Sequence, residues 1–319
     1  MSLTGEAFAI RSRVYFSLAT TLDAGLPLPA SLQSAVGASA PWPSVGRDLA
    51  QRIESGESLS RAMQTRPDTF SPIEIRLVEA GERSGRLPDA LGRLGKSFEH
   101  RAQARGRLIW GLAYPLLLLH AAIFLPSLPL LVSSGLASFL GSVVPQLVAL
   151  YGLAAGLSFA LPHLARHRSG LRLPVLGPWA RQRATADYAF VLGSLVSAGG
   201  SLPEALRFAA DAVDHPLFAA SGRRIARKVE RGSELGRAFA AEKDIFGSLF
   251  VEQIKVAEVA GRLEPGLLKA EEIARDEASS ATRVALVCVT VGAFALAAGL
   301  VAWHVIRFWS GYAAGLSGI

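Results

Sequence analysis

LIWGLAYPLLLLHAAIFLPSLPLLVSSGLASFLGSVVPQLVALYGLAAGLSFALPHLA, residues 108–165, passes 58 positions without an Asp, Glu, Lys or Arg. A helix rises about 1.5 Å per residue, so roughly 20 apolar residues cross the hydrocarbon core of a bilayer. The stretch is too long for one crossing and fits two. Pro126, Pro129, Ser133, Ser134 and Gly135 interrupt it, which predicts spans near 108–125 and 143–164 with a connection at 126–142. The competing account is a buried helix of a soluble protein, but such helices seldom pass about 20 residues without a charge. A second charge-free run, 284–306, has 23 residues and fits a third span. The chain is only 18% charged, against about 25% for an ordinary soluble domain, and the deficit lies in these two runs.

The charges that remain predict an orientation. Residues 1–107 hold 14 Lys and Arg against 11 Asp and Glu, residues 166–283 hold 18 against 15, and Arg307 stands near the end, which accounts for the net +7. Arg101, Arg105 and Arg107 abut the first span, Arg166, Arg168 and Arg172 follow the second, and Arg275 and Arg283 precede the third. The 126–142 connection carries no cation. The positive-inside rule therefore puts both charged segments in the cytoplasm, with the turn and the short 307–319 tail outside. The basic balance comes from these flanks; no basic run is interleaved with aromatics, so nucleic acid is not an expected partner. The N-terminus lacks the features of a signal peptide, so none is expected.

The two charged segments are copies of one another. Tyr15-Phe16-Ser17-Leu18 through Leu22-Asp23-Ala24-Gly25-Leu26-Pro27 recurs 174 residues later as Ala189-Phe190-Val191-Leu192 through Val196-Ser197-Ala198-Gly199-Gly200-Ser201. Further on the offset is 176: Gly56-Glu57-Ser58-Leu59 meets Gly232-Ser233-Glu234-Leu235, and Phe70 meets Phe246. Gly81-Glu82-Arg83-Ser84-Gly85-Arg86-Leu87 meets Ala257-Glu258-Val259-Ala260-Gly261-Arg262-Leu263. Self-similarity in one order marks a duplication. Val14, Leu18 and Leu22, and Tyr188, Leu192 and Val196, make helical stripes. Gly25, Gly56, Gly85, Gly199, Gly232 and Gly261 fall where a left-handed residue ends a helix. Ser71-Pro72-Ile73-Glu74 and Ser201-Leu202-Pro203-Glu204 have capping-box spacing. No alternating strand pattern occurs. The expected fold is all-α: a cytoplasmic bundle (1–107), a transmembrane hairpin (108–165), a second homologous bundle (166–283) and a third transmembrane helix (284–306).

Chemistry is sparse. Gly95-Lys96-Ser97 is the tail of a phosphate-binding loop, but Ala90 stands where the motif needs glycine, and Leu87, Leu91, Leu94 and Phe98 run a helical stripe through it. The six histidines show no metal-ligand spacing; His120, His163 and His304, in or beside spans, read as neutral side chains bonded to helix backbone or interfacial water. Cys288 is the one cysteine, so neither a disulfide framework nor a thiolate cluster is available. No catalytic, cofactor or metal site is expected. At Glu82 and Glu258 both copies place an acid just before a closing glycine. Two readings stay open for them, a contact with a partner or the other copy, and an internally paired helix-end charge. Gly152 with Gly156, and Ala295 with Gly299, have the small-xxx-small spacing of close helix packing in lipid.

These features resemble the type II secretion system F family, inner-membrane platform proteins called GspF in secretion systems and PilC in type IV pilus systems. The resemblance rests on the Leu-x-x-x-Leu-x-Ala-Gly-x-x-Leu run from Leu18 to Leu28, on Gly56-Glu57-Ser58-Leu59, Phe70, Gly81 through Leu87, Tyr114-Pro115 and Leu173-Pro174-Val175-Leu176-Gly177. It implies a non-enzymatic platform that couples a cytoplasmic assembly ATPase to addition of pseudopilin or pilin subunits. The implied partners are that ATPase, those subunits, other inner-membrane platform components, the lipid bilayer and further copies of the chain. A small transporter or a membrane-tethered adaptor unrelated to secretion is the alternative; a transporter would ordinarily show polar or broken spans at a midplane site.

Overall fold

The structure, a computed structural model, describes residues 5–35, 42–166, 173 and 176–316. Thirteen helices and no strand occur among the described residues. Copy one comprises α1 (Gly5–Asp23), α2 (Leu28–Ala35), α3 (Trp42–Glu54), α4 (Leu59–Gln64), α5 (Pro72–Ser84) and the start of α6 (Leu87–Arg166). Copy two repeats the order as α7 (Leu176–Ser197), α8 (Leu202–Ala212), α9 (Pro216–Glu230), α10 (Leu235–Ala240), α12 (Ser248–Val259) and the start of α13 (Leu263–Leu316). It adds one short turn of helix, α11 (Lys243–Phe246). Arg168, Arg172, His167, Pro174 and Val175 lie outside the described residues.

The chain divides into two units, one of residues 1–106 and 180–279, the other of 107–179 and 280–319. In the first unit the two copies share one buried core. Its local rules are visible at α5. Pro72 opens the helix, the Ser71 N–H and hydroxyl donate to Glu74 at 2.8 and 2.6 Å, and Gly85 closes it at φ 71°. The matching box in copy two does not form. Ser201 still caps α8, but without a side-chain bond, and Glu204 turns instead toward Arg83 of copy one, 3.6 Å away.

The α5–α6 crossing shows how the copies diverged without changing shape. Gly81 and Ala90 face each other in copy one: a methyl on Gly81 would come within 2.8 Å of the Ala90 methyl. In copy two the pair is Ala257 and Gly266, and a methyl on Gly266 would run into that of Ala257. One glycine and one alanine hold the helices close in each copy, on opposite sides of the contact.

The cores differ more. Arg11 and Glu74 are buried together in copy one, paired at 2.9 Å, with Tyr15 donating to Glu74 at 2.6 Å and the guanidinium 5.6 Å from the Trp42 ring and 5.4 Å from that of Phe98. Copy two has Thr185 and Phe250 at the positions of Arg11 and Glu74, and its centre is aromatic: Tyr188, Phe218, Phe239, Phe246 and Phe250 meet mostly edge to face. Edge-to-face pairing places the positive ring edge on the negative ring face, so this core needs no ion pair to fix its geometry.

Two helices are long and apolar enough to cross a membrane by length and composition, 87–157 and 263–307, and the second unit takes in their apolar parts. The expected connection at 126–142 is almost wholly helical. Only Gly135 leaves helical geometry, at φ 80° and ψ 177°, and there α6 breaks into two limbs, 87–134 and 136–166. Pro126 and Pro129 each remove one backbone donor, but the helix continues, with the Ser127 hydroxyl donating to the Ile123 carbonyl at 2.9 Å and Ser133 to that of Pro129 at 3.0 Å. A positive φ is what a proline cannot supply and a glycine can. The limbs fold together: Phe124 lies 6.4 Å from Phe139, and the Tyr151 hydroxyl donates to His120 Nε2 at 2.9 Å while His120 Nδ1 donates to the Leu116 carbonyl at 2.7 Å. His304 Nδ1 donates to the Leu300 carbonyl at 2.8 Å, and Gln146 donates to its Nε2 at 3.3 Å. Helix approach uses Ala122, Ala293 and Ala297 and not the expected small pairs; Gly152, Gly156 and Gly299 have open space where a Cβ would stand.

Candidate functional site

Glu82, in the last turn of α5, reaches the start of α4. It accepts from the N–H groups of Leu59 at 2.6 Å and Ser60 at 3.2 Å, and the Ser60 hydroxyl also donates to it. Glu258, on α12, does the same for α10, accepting from Leu235 at 2.6 Å and Gly236 at 2.7 Å. The first N–H groups of a helix lack intrahelical partners and form the positive end of its dipole. Six-residue helices such as α4 and α10 do not persist alone in water. Each charge-assisted bond contributes about 1.5–3 kcal/mol, so a carboxylate from the next helix holds each one in place. Of the two readings open in the sequence, the geometry is that of internal pairing.

The glycines set up this geometry. Gly25, Gly56 and Gly85 have φ of 85°, 94° and 71°, and Gly199, Gly232 and Gly261 have 86°, 86° and 66°. At Gly85 the left-handed turn lets the Arg86 N–H reach the Gly81 carbonyl at 2.8 Å, and at Gly261 the Arg262 N–H reaches that of Ala257 at 3.0 Å. Both turns close the helix immediately after the capping glutamate. Gly199 has a second requirement that the sequence does not show: a Cβ there would stand 2.5 Å from the Ser84 side chain of copy one.

That approach belongs to a polar contact between the copies. The Ser84 hydroxyl donates to the Ala198 carbonyl, and Arg86 donates to the Ser197 carbonyl at 2.9 Å and pairs with Glu264 at 3.2 Å. Arg93 donates to the Ser194 hydroxyl at 2.9 Å and pairs with Glu271, which Arg275 also holds. Ser84, Arg86, Arg93 and Glu271 are functional candidates that sequence reading missed. Ser84 and Arg86 stand inside the repeated motif, but their partners lie more than 100 residues away and no local spacing marks them.

Ionisation follows these contacts. Burial, and then Glu74, push the Tyr15 phenol well above its ordinary value. The Arg224 hydrogen bond holds the Glu242 carboxyl below the usual carboxylate range. Lys96 is exposed on α6, in helix and not at a strand-to-helix loop, so it does not form a phosphate cradle. Among the described residues no three His, Cys, Asp or Glu side chains converge as metal ligands would. These residues build two stabilised turns and a contact that fixes one copy to the other.

The chain as a whole is similar to known proteins. A type 4 fimbrial assembly protein PilC of Pseudomonas putida is 28% identical over 304 residues, spanning 83% of this chain and 73% of its own. A type II secretion system protein F of Vibrio cholerae is 26% identical over 330 residues, 91% of this chain and 78% of its own. Another protein F, from Pseudomonas aeruginosa, is 29% identical over 281 residues, 79% and 69%. The family described as type II secretion system (T2SS), protein F matches residues 15–134 and again 188–308, each match holding one copy and apolar sequence after it. With both halves matched over most of its length, the chain belongs to the type II secretion system protein F family.

Proposed function

We propose that the chain is a non-enzymatic inner-membrane platform of a type II secretion or type IV pilus-like machine, passing work from a cytoplasmic assembly ATPase to pseudopilin or pilin assembly. The observation that carries this is the family match across both copies and the apolar sequence that follows each. Three crossings, at 108–134, 136–166 and 284–306, put both bundles on the side of the basic flanks, the cytoplasm. In support, α6 and α13 run as helix through Arg101, Arg105 and Arg107 and through Arg275 and Arg283, with no loop between the bundle's last helix and the apolar sequence. The bundles present dense charge of both signs, which steers association and weakens as salt screens it beyond about 8 Å at physiological strength.

Two experiments test the reading. In intact cells, with Cys288 replaced, an impermeant thiol reagent is expected to label Ser134→Cys and not Ser169→Cys; the reverse overturns the orientation. The full chain in detergent is expected to capture the cognate assembly ATPase at low salt and release it at high salt, and a flexible Gly/Ser insertion after Arg107 is expected to abolish secretion or piliation. No capture at low salt, or intact assembly after the insertion, refutes the coupling role.

A further inference from the structure

The contact between the copies is one-sided. Ala80, Ser84 and Arg86 of copy one rest on the Ser197-Ala198-Gly199 turn of copy two. Were the copies related by a twofold axis, Val256, Ala260 and Arg262 would rest in turn on Asp23-Ala24-Gly25. They do not. Ala80 is 4% exposed, whereas its counterpart Val256 is 55% exposed and the neighbouring Val259 90%. A Cβ on Gly199 meets Ser84, whereas a Cβ on Gly25 meets nothing within 4 Å, and Leu26 beside it is 41% exposed. Each chain therefore carries one used join and, at its two ends, the unused halves of the same join. A head-to-tail contact of this kind can be repeated by a further copy, closing into a ring or extending.

We propose that the chain self-associates through these unused halves: the α12 end of one molecule, centred on Val259, docks on the α1–α2 turn of the next, centred on Leu26, repeating between chains the join already made within one. This deepens the oligomer implied by the family resemblance by naming its surface, and its failure leaves the ATPase coupling untouched. The chemistry of the two faces agrees. In the internal join, Arg83 meets Glu204, 3.6 Å away. The counterpart of Arg83 is Val259 and that of Glu204 is Ala30, so where one join has an ion pair the other brings two apolar side chains together. Leu26 replaces Gly200 and enlarges the apolar patch, while Arg262, the counterpart of Arg86, faces the Asp23 position, which supplies a carboxylate as well as a carbonyl. Large exposed apolar groups matched across a repeated geometry point to a second copy of this chain as the occupant, in preference to an unrelated protein.

The test uses the full chain in its membrane, with Cys288→Ser as background. Chains carrying Leu26→Cys and chains carrying Val259→Cys, differently tagged and co-expressed, are expected to give a disulfide-linked or bis-maleimide-linked dimer, and neither variant alone is expected to do so. A homodimer from either variant alone, a product with another protein only, or no product overturns the proposal. In a second arm, Val259→Arg in nanodiscs is expected to weaken self-association at least tenfold by mass photometry with the melting temperature unchanged. Ala30→Glu added to it is expected to restore association by recreating the Arg83–Glu204 pair. An oligomer that survives Val259→Arg, or a double variant that stays monomeric, likewise refutes it.

Discussion

Exchanging Gly81 and Ala90 tests whether the two copies conserve a contact and not a residue. In Gly81→Ala the new methyl falls 2.8 Å from the Ala90 methyl and 3.2 Å from the Leu87 Cα, while carbons pack at about 3.5–4.0 Å. Neither group can rotate away, because both are methyls fixed to helix backbone. The helices must part by about 1 Å, and with neither methyl able to move the overpacking costs about 3 kcal/mol, the upper end of the range for such insertions. Helix propensity returns about 1 kcal/mol, leaving a net loss of about 2 kcal/mol. Ala90→Gly loses about 1 kcal/mol of propensity and about 0.8 kcal/mol of buried methyl, again about 2 kcal/mol. In the double variant the propensity terms cancel and the volume is conserved, as in copy two, so the expected loss is under about 1 kcal/mol and the coupling about 3 kcal/mol. For a unit of this size each kcal/mol moves the melting temperature about 2–4 °C. Thermal unfolding of the detergent-solubilised chain should show each single variant lowered by about 4–8 °C and the double variant within a few degrees of the parent. A double variant as unstable as the sum of the singles would refute the reasoning.

The other predictions use the same unfolding assay. Glu82→Gln and Glu258→Gln each exchange a charged acceptor for a neutral one at a helix start and are expected to cost about 1–2 kcal/mol apiece; equal stability in both variants would show that the caps are not structural. The Tyr188 hydroxyl is buried with no hydrogen-bond partner, so Tyr188→Phe should raise stability by about 1 kcal/mol, and a loss would mean that the hydroxyl is satisfied. The folded-state pKa of Glu242 is depressed below its ordinary 4.5 by Arg224, so the pair stabilises above about pH 4.5 and is lost as pH falls through the folded value. Glu242→Gln should therefore be less stable than the parent at neutral pH and flatten its acid-side decline; parallel profiles would contradict the pairing.

How much of this was legible depends on the reach of each interaction. The helix ends were readable because a cap and its carbonyl partner lie within six residues, as at Ser71-Pro72-Ile73-Glu74 and at Gly85. The duplication was readable because the glycine turns repeat in order. The break between the apolar limbs falls inside the expected 126–142 interval but could not be narrowed to one residue, because two prolines and two serines look as much like an interruption as Gly135, while only Gly135 takes a conformation that helix cannot absorb. The Ser201 box was misjudged for a different reason: its glutamate has the right spacing, but Arg83, 121 residues earlier in sequence, competes for it. Arg11 gave no signal at all. A lone arginine in an amphipathic helix reads as solvated, and only the burial of Glu74 beside it shows otherwise.

Departures between the copies look like decay in an alignment and like compensation in space. Ala257 in place of Gly81 reads as a lost motif residue until Gly266 is found opposite it. Phe250 in place of Glu74 would strand a buried arginine, and Thr185 stands where that arginine would be. Leaving one partner of a buried ion pair costs about 3–5 kcal/mol, whereas replacing both by packed apolar groups can be neutral, so such positions change together or not at all. Val259 in place of Arg83 meets no compensating change across a contact within the chain, because its face is exposed; the change that matches it, Ala30, lies on the other copy's equally exposed face. If compensation is what kept the buried pairs, an uncompensated pair of exposed changes that fit one another is the trace of a contact made between chains.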